Sequence, residues 1–327
     1  MAGRVLKALV WLVVAGLIVG VAAVGWGYRS FNSPGPLASD TTVILARGEG
    51  VMAISSHLER AGVVSDAHVF AVGVRLHRAE RGLRAGEYRF AARASMLDVM
   101  QQLVAGRTVV RRVTLAEGLT SQEAVAVIEA AEALNGTIDE VPSEGSLLPE
   151  TYHYSYGDSR AAILARMRQS MQSTVSEAWA RRSADLPLQS PEEAIVLASI
   201  VEKETAKPEE RAHIAGVFIN RLKRGMRLQS DPTVAYGLTE GRAPLDRALT
   251  RSDLKHPTPY NTYVIKGLPP GPICNPGKAA IEAVLQPMQT KDLYFVADGN
   301  GGHAFAETYA QHRRNVSRWR RLQSGSD

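Results

Sequence analysis

An uncharged apolar run near the N-terminus constrains this chain more than any other feature. Between Ala8 and Tyr28 no side chain is charged. As a helix the run is roughly 31 Å long at 1.5 Å per residue, which matches the hydrocarbon thickness of a bilayer. A cleaved signal peptide is the alternative, but the run is long for one and no clear Ala-x-Ala site follows it. We therefore expect a single membrane-spanning helix.

Residues at the two ends of this run predict its orientation. Arg4 and Lys7 precede it and favour a cytoplasmic N-terminus, although Arg29 follows it and makes the charge bias modest. Aromatic residues, which favour the membrane interface, lie near its ends: Trp11, Trp26 and Tyr28. Since no later stretch is long and apolar enough to cross, we expect the rest of the chain to lie outside the cytoplasm.

Composition excludes several classes of protein. The chain has 327 residues, 45% of them hydrophobic, so it can bury a core. Its one cysteine, Cys274, cannot form an intramolecular disulfide. The histidines are scattered without metal-ligand spacing, so neither a metal nor a cofactor is predicted. No aromatic-studded basic run indicates nucleic acid, and the densest cationic segment, residues 311–321, is predicted to be a solvated terminal helix.

Local patterns predict an α+β fold in three parts. Residues 1–30 form the cytoplasmic tip and membrane helix, and residues 31–40, which contain Ser33-Pro-Gly-Pro36, form a linker. Residues 41–115 form a small α+β module, with helices predicted over 50–61, 68–76 and 96–104 and strands over 43–45, 84–90 and 109–115. Small modules of this kind often bind glycans, but spacing alone does not separate binding from support.

Residues 116–327 form the second predicted domain, of mixed α+β type. A helix capped by Thr120 or Ser121 opens it, and residues 146–154 read as a tight loop. Further helices are predicted over 161–182, 190–205 and 208–224. From Gly225 onward the chain is rich in Gly, Pro, Asn and Asp, which favours ordered loops over long helices. A strand over 291–297 is followed by the predicted hairpin turn 298–302.

The helix over 190–205 has a clear start. Ser190 reads as its N-cap, Pro191 occupies the first turn, and Glu193 completes a predicted capping box. Near its end a carboxylate joins an apolar stripe. At roughly 100° per residue four side chains fall within about 60° of one another, whereas Glu202 and Lys203 project to other faces. The four are Leu197, Ile200, Val201 and Glu204.

Glu204 is thereby a candidate catalytic acid. A carboxyl group at the end of an apolar stripe loses contact with water, so its pKa rises toward neutrality and it can donate a proton. A solvated helix-end Glu, or one paired with an arginine, also fits this pattern and is the commoner case. The pattern alone leaves both interpretations open.

Polar side chains on Pro- and Gly-rich loops follow this helix. Such side chains suit the hydroxyl and acetamido groups of sugars, which need neutral donors and acceptors at fixed positions. Each loop taken alone also reads as an ordinary turn, with Asp231 as a cap before Pro232 and His303 as a structural hydrogen bonder. The candidate substrate contacts are Gln229, Asp231, Tyr260, Asn261 and His303.

Several sequence segments together make the chain recognisable. It resembles the YceG-like family of endolytic murein transglycosylases, and the resemblance covers nearly the whole chain, including the N-terminal apolar run and the turn at 84–90. The segments that carry it are 198–205 (ASIVEKET), 217–222 (VFINRL), 226–237 (MRLQSDPTVAYG), 260–263 (YNTY), 267–271 (GLPPG) and 294–303 (YFVADGNGGH).

The resemblance implies a membrane-anchored enzyme with a LysM-like module before its catalytic domain. It implies an inner-membrane location with the catalytic domain in the periplasm, and peptidoglycan as the substrate. The bond cleaved would be the β-1,4 link from N-acetylmuramic acid to N-acetylglucosamine in nascent strands. The product would be a 1,6-anhydromuramoyl end, which terminates strand elongation. Peptidoglycan synthases are candidate partners.

The family acid maps onto Glu204, with Glu202 as the competing assignment. A single residue suffices because the nucleophile is the substrate's own hydroxyl, whereas a glycoside hydrolase normally needs two carboxylates. Asn220 and Arg221 are expected to support the floor of the site. Two alternatives stay open: a catalytically silent glycan-binding scaffold of the synthesis machinery, and a hydrolase that uses water with Asp231 as its second acid.

Overall fold

A computed structural model describes residues 2–324 of the chain. Met1, in the predicted cytoplasmic tip, and residues 325–327, the end of the predicted catalytic domain, lie outside the described residues. The fold is mixed α+β, as predicted, and it divides into two compact units. The first unit comprises residues up to 111 with 155–157, and the second comprises 112–154 with residues from 158 onward. The sequence-based boundary between 115 and 116 remains a prediction.

The first unit begins with the long helix α1 (Ala2–Asn32). Among the described residues, α1 alone is long and apolar enough to cross a membrane. Its span Leu9–Asn32 reaches a mean hydropathy of 2.4, and none of that apolar window is buried. The predicted apolar helix is therefore confirmed.

A small module follows α1 in the first unit. Its strands pair antiparallel, with Thr41 opposite Phe90 and Leu45 opposite Gly86. Helix α4 starts with a complete capping box between Ser95 and Asp98. The predicted helices and strands are confirmed, with their ends displaced by one or two residues. In chain order the elements are β1 (Thr41–Leu45), α2 (Val51–Arg60), α3 (Ala67–Leu76), β2 (Gly86–Phe90) and α4 (Met96–Ala105).

The second unit is predominantly helical. Its strands form two short two-stranded sheets, β3 with β4 and β5 with β6, and the second of these is antiparallel. Its elements are β3 (Arg111–Thr114), α5 (Ser121–Glu129), β4 (Thr151–Tyr154), α6 (Arg160–Ala180), α7 (Pro191–Glu204), α8 (Pro208–Lys223), α9 (Asp231–Thr239), α10 (Lys278–Leu285), β5 (Tyr294–Ala297), β6 (His303–Ala306) and α11 (Tyr309–Ser324). The hairpin predicted around 298–302 is confirmed, with Ala297 opposite His303.

The main core of the second unit surrounds α7. Leu197, Ile200 and Val201 of this helix are fully buried. They belong to one hydrophobic cluster with Phe218 of α8 and Ile281 of α10. Because α7 is covered by two helices, its C-terminal residue is held in a fixed position within the unit.

One sequence-based prediction for this unit is wrong in part. Residues 146–154 do not form a loop throughout, because Thr151–Tyr154 is strand β4. The alternation of outward threonine and histidine with the buried Tyr152 and Tyr154 fits a strand with one face in a core. Beyond Gly225, α9 and α10 are short helices of 9 and 8 residues. The proline in α9 is compatible with a helix because it occupies the first turn, where its missing N–H costs little.

Candidate active site

Helix α7 carries Glu204 as its last residue. The Ser190 hydroxyl accepts a hydrogen bond from the Glu193 backbone N–H at 3.3 Å, which confirms the predicted N-cap. The predicted capping box is wrong, because the Glu193 carboxylate accepts from the backbone N–H of Gln189 at 2.6 Å and not from that of Ser190. The helix ends where Thr205 turns to extended backbone. Glu204 thus lies at the junction of a packed helix and a loop.

Glu204 continues the buried stripe of α7, as the spacing predicts. The three apolar residues of the stripe are fully buried, whereas Glu204 is half-buried. Its carboxyl group is therefore largely removed from water while part of the side chain stays accessible. A proton donor for a bound ligand needs both properties.

A buried serine holds the Glu204 carboxyl. Ser230 Oγ donates a hydrogen bond to Glu204 Oε1 at 2.5 Å. Ser230 is 1% exposed, and its backbone N–H donates to Thr262 Oγ1 at 2.9 Å. Although Ser230 occupies the N-cap position of α9, its side chain makes no capping hydrogen bond, because the hydroxyl points at Glu204. The candidate residues from sequence did not include Ser230.

The surroundings of Glu204 raise its pKa to about 7. Burial is the largest cause, since it disfavours the charged carboxylate, and the negative charge of Asp231 adds to it. The Ser230 hydrogen bond and the positive charges of His303 and Arg221 lower the pKa and limit the rise. With a pKa near neutrality, Glu204 can both give and take a proton at physiological pH.

Glu202, the competing acid, has different partners. The Glu202 side chain is 5% exposed. The helix face that carries it, which differs from the face of Glu204, is therefore buried as well. One oxygen accepts from the Gly277 backbone N–H at 2.9 Å, and the other lies 3.5 Å from Arg211 Nη2. Glu117 also pairs with Arg211, at 3.3 Å. Glu202 is therefore tied to a cation and to the backbone before α10, whereas Glu204 is held by a neutral hydroxyl.

Asp231 and Gln229 lie on either side of Ser230. Both side chains are exposed. Asp231 Oδ1 accepts a hydrogen bond from Tyr263 Oη at 2.6 Å, and burial together with that negative charge raises the pKa of Tyr263. Gln229 adopts a left-handed backbone with φ of 53°, and its N–H donates to the Thr262 carbonyl. The structure thus places two of the predicted contacts on the loop that presents Ser230 to Glu204.

Tyr260 and Asn261 differ in exposure. Tyr260 is half-buried, with its ring centroid 4.8 Å from that of Tyr236. Asn261 is fully buried. Its Nδ2 donates to the His256 carbonyl at 2.7 Å, and its Oδ1 accepts from the Tyr263 backbone N–H at 2.9 Å. The Asn261 amide is therefore engaged within its own loop.

His303 lies at the start of β6, after the hairpin turn. Its Nδ1 lies 2.6 Å from Glu210 Oε2, and its backbone N–H donates to Glu210 Oε1 at 2.9 Å. The imidazole is half-buried and makes an edge contact with Phe295. The charge of His303 also acts on Glu204, whose pKa it lowers.

Arg221 is the second cation that acts on Glu204. It is 7% exposed, and its guanidinium donates to the backbone carbonyls of Leu293 and Leu228, each at 2.6 Å. The Asn220 amide donates to the carbonyl of Thr290 at 2.8 Å. Both side chains tie α8 to the segments around it. Their expected role in supporting the floor of the site remains a prediction.

A cleft of about 380 Å³ opens beside α9. Its walls are both polar and apolar. They include Lys203, which precedes Glu204 in sequence, and Asp231, which follows Ser230. Among its lining residues are Thr120, Lys203, Asp231, Tyr236, Arg247 and Ile273. Over residues 2–324, no three His, Cys, Asp or Glu side chains cluster closely enough to hold a metal ion.

Glu144 is a further half-buried carboxyl, and it was not among the residues expected from sequence. Its Oε1 accepts from the Ser121 backbone N–H at 2.7 Å and from the Ser121 hydroxyl at 3.1 Å. Burial raises the pKa of Glu144 above its ordinary value, and the hydrogen bonds from Ser121 offset part of that rise. Tyr236 Oη donates to its other oxygen at 3.4 Å. Unlike Glu204, Glu144 has donors on both oxygens, which indicates a structural role.

Comparison with known proteins finds relatives that match most of this chain. An endolytic murein transglycosylase of Bacillus subtilis is 30% identical over 319 residues, which cover 88% of this chain and 87% of that protein. An endolytic murein transglycosylase of Streptococcus pneumoniae D39 is 28% identical over 84% of this chain, and the match spans 58% of that longer protein.

A solved structure has the same fold. The crystal structure of a YceG-like protein from Listeria monocytogenes superposes with a TM-score of 0.52 at 28% identity, over 84% of this chain and 99% of that one. The sequence pattern of the YceG-like family matches residues 43–318. This match includes the Glu204 helix, the Ser230 loop and the His303 hairpin. The chain therefore belongs to the YceG-like family.

Proposed function

We propose that this chain is a peptidoglycan lytic transglycosylase in which Glu204 is the single general acid and base. The names of its relatives support the reaction class, since they are called endolytic murein transglycosylases. The observation that carries the residue assignment is the state of Glu204: a half-buried carboxyl with a pKa of about 7, held by a neutral hydroxyl.

In the proposed reaction, Glu204 gives up one proton and then accepts a different one. The protonated carboxyl donates to the glycosidic oxygen as the bond from muramoyl C1 to that oxygen breaks. The resulting carboxylate accepts the proton of the muramoyl O6 hydroxyl as O6 bonds to C1. Atoms balance without water, and the carboxyl returns to its starting state. Proton transfer of this kind typically contributes 10²- to 10⁴-fold to the rate.

The Ser230 hydrogen bond is compatible with Glu204 acting first as an acid and then as a base. It engages Oε1, so we assign the transferred proton to Oε2. A neutral donor stabilises the carboxylate less than an ion pair would, and the pKa therefore stays near 7 instead of falling to that of an exposed acid. The charges of Arg221 and His303 would further stabilise the carboxylate after the first transfer.

We propose different roles for the remaining candidates. The exposed Gln229 and Asp231 and the half-buried Tyr260 are offered as contacts for the sugar, and of these Asp231 lines the cleft beside α9. Asn261, being buried, would act by holding Tyr263 next to Asp231. His303 would act as a positioning residue through its charge, because Glu210 engages its ring.

The cellular setting is part of the proposal. Helix α1 would anchor the chain in the inner membrane with a cytoplasmic N-terminus and would place the second unit in the periplasm. Its apolar span supports the anchor. The β1–α2–α3–β2 order supports the LysM-like description of the module. Cleavage near the membrane would terminate nascent strands, with peptidoglycan synthases as candidate partners.

Product mass tests the reaction class. Purified glycan strands digested by the full chain should yield anhydromuramoyl ends, which are lighter than reducing ends by one water. Reducing ends would instead support the hydrolase, with Asp231 as its second carboxylate. Binding of strands without any new ends would support the silent scaffold.

A further inference from the structure

Helix α3 is apolar on two opposite faces. At about 100° per residue, Ala67, Phe70 and Val74 share the face that is buried in the first unit. The opposite face carries Val72 and Leu76, which are 51% and 78% exposed. A helix that is hydrophobic nearly all round is normally covered on both sides. The outer face of α3 therefore needs a cover that the first unit does not provide.

A cavity of about 730 Å³ joins this face to helix α1. Its lining is mainly apolar and comes from both helices. From α1 it includes Val24 and Trp26, which lie within the membrane-crossing span, and from α3 it includes Val69, Val72 and Leu76. The outer face of α3 and the end of the apolar span thus border one continuous space.

Phe31 fixes the two helices to each other. It lies in the last turn of α1, is 4% exposed, and packs against Phe70 and His77 with ring centroids 6.3 and 5.5 Å away. Gly73 makes room for it, since a Cβ at that position would lie 2.1 Å from a Phe31 ring carbon. Because these contacts are tight, α3 keeps its position beside the end of α1.

We propose that α3 lies in the interfacial layer of the membrane that α1 spans, with a phospholipid acyl chain in the cavity between the two helices. Lipid surrounds Val24 and Trp26 in a spanning helix, and the same lipid would cover Val72 and Leu76. The exposed Arg29, near the end of α1, suits the phosphate of a headgroup. The inference rests on the proposed anchor and is independent of the proposed chemistry.

Depth-dependent quenching tests this placement. The full chain is reconstituted in liposomes of phosphatidylethanolamine and phosphatidylglycerol whose acyl chains are brominated, with an environment-sensitive fluorophore on Leu76→Cys. Val110→Cys is the matched control, because Val110 is 64% exposed in the same unit but does not line the cavity. The unsubstituted chain gives the labelling blank, since Cys274 is fully buried.

The proposal predicts a blue-shifted Leu76 label that the brominated lipid quenches severalfold more than it quenches the Val110 label. Equal quenching of the two labels would overturn it. A blue shift without quenching would also overturn it, because protein would then cover α3. A third label on Leu17→Cys, an exposed position within α1, separates this outcome from failure of the anchor. If the Leu17 label is quenched and the Leu76 label is not, the anchor stands and only the placement of α3 fails.

Discussion

Ser230 Oγ donates to Glu204 Oε1 across 2.5 Å, and it does so from a position that is almost wholly buried. The two residues come from different elements, the end of α7 and the start of α9. Their contact joins the carboxyl to the segment at the start of α9, which also carries the exposed Gln229 and Asp231. The acid and its proposed substrate contacts are thereby fixed relative to each other.

Replacing Ser230 should shift the pH dependence of cleavage. Ser230→Ala removes a donor that favours the carboxylate, so the pKa of Glu204 rises above about 7 and the basic limb of the rate profile moves to higher pH. Hydrogen bonds to charged groups are worth about 1.5–3 kcal/mol, so the limb is expected to move by about one to two pH units. Ser121→Ala is the matched control, because Ser121 is also buried and bonds Glu144. An unchanged limb in Ser230→Ala would contradict the assignment.

Replacing Asp231 should shift the same limb in the opposite direction. The negative charge of Asp231 raises the pKa of Glu204, so Asp231→Asn lowers that pKa and moves the basic limb to lower pH. Because Asp231 is exposed and is proposed to contact the sugar, KM should rise while the products keep anhydro ends. The measurement is the pH–rate profile together with product mass. A loss of all cleavage in this variant, with a normal fold, would favour Asp231 as a second catalytic acid.

The raised pKa of Glu204 predicts how stability depends on pH. The unperturbed pKa of the carboxyl is 4.5, and in the folded chain it is about 7. At pH values between these two, the folded chain binds more protons than the unfolded chain. Stability therefore falls as the pH rises through this window. Glu204→Gln lacks the ionisation, so at pH 8 it should be more stable than the wild type by about 1–3 kcal/mol, with the gain fading toward pH 4.5.

Urea unfolding of the detergent-solubilised chain measures this difference. Glu192→Gln serves as the control, since Glu192 is exposed on the first turn of the same helix. Its stability relative to the wild type should not increase toward pH 8. If the advantage of Glu204→Gln is the same at pH 5 and pH 8, the shifted ionisation is not the cause.

Glu202 should matter for stability and not for the chemical step. Glu202→Gln removes the carboxylate beside Arg211, whose side chain is 13% exposed, and weakens the bond to the Gly277 N–H. A cost of about 1–3 kcal/mol is expected, because Glu117 still partners the guanidinium. Thermal unfolding and the rate per folded molecule measure the two effects separately. A fully stable but inactive Glu202→Gln would reverse the assignment of the two glutamates.

Local pattern predicted much of this arrangement. Ser190, Pro191 and the apolar spacing of Leu197, Ile200 and Val201 are enough to predict α7 and the direction of Glu204, because both depend only on helical periodicity. The hairpin before His303 follows from its Gly-rich turn. Such signals lie within a few residues of the features they predict.

The partners of the carboxyls could not be predicted in this way. Ser230 lies 26 positions from Glu204, and Tyr236 lies 92 positions from Glu144. Packing of separate elements creates these contacts, and no local spacing records them. For the same reason the burial of Glu202 was missed, since helical geometry gives the direction of a side chain but not what covers it.

The most direct test of the account is the rate at which anhydro ends form from purified glycan strands, compared between the wild type, Glu204→Gln and Glu192→Gln. The account predicts a 10²- to 10⁴-fold loss in Glu204→Gln. It predicts no loss in Glu192→Gln, which carries the same change of charge at an exposed position of the same helix. Circular dichroism confirms that each variant is folded. A folded Glu204→Gln that cleaves strands at the wild-type rate would contradict the account.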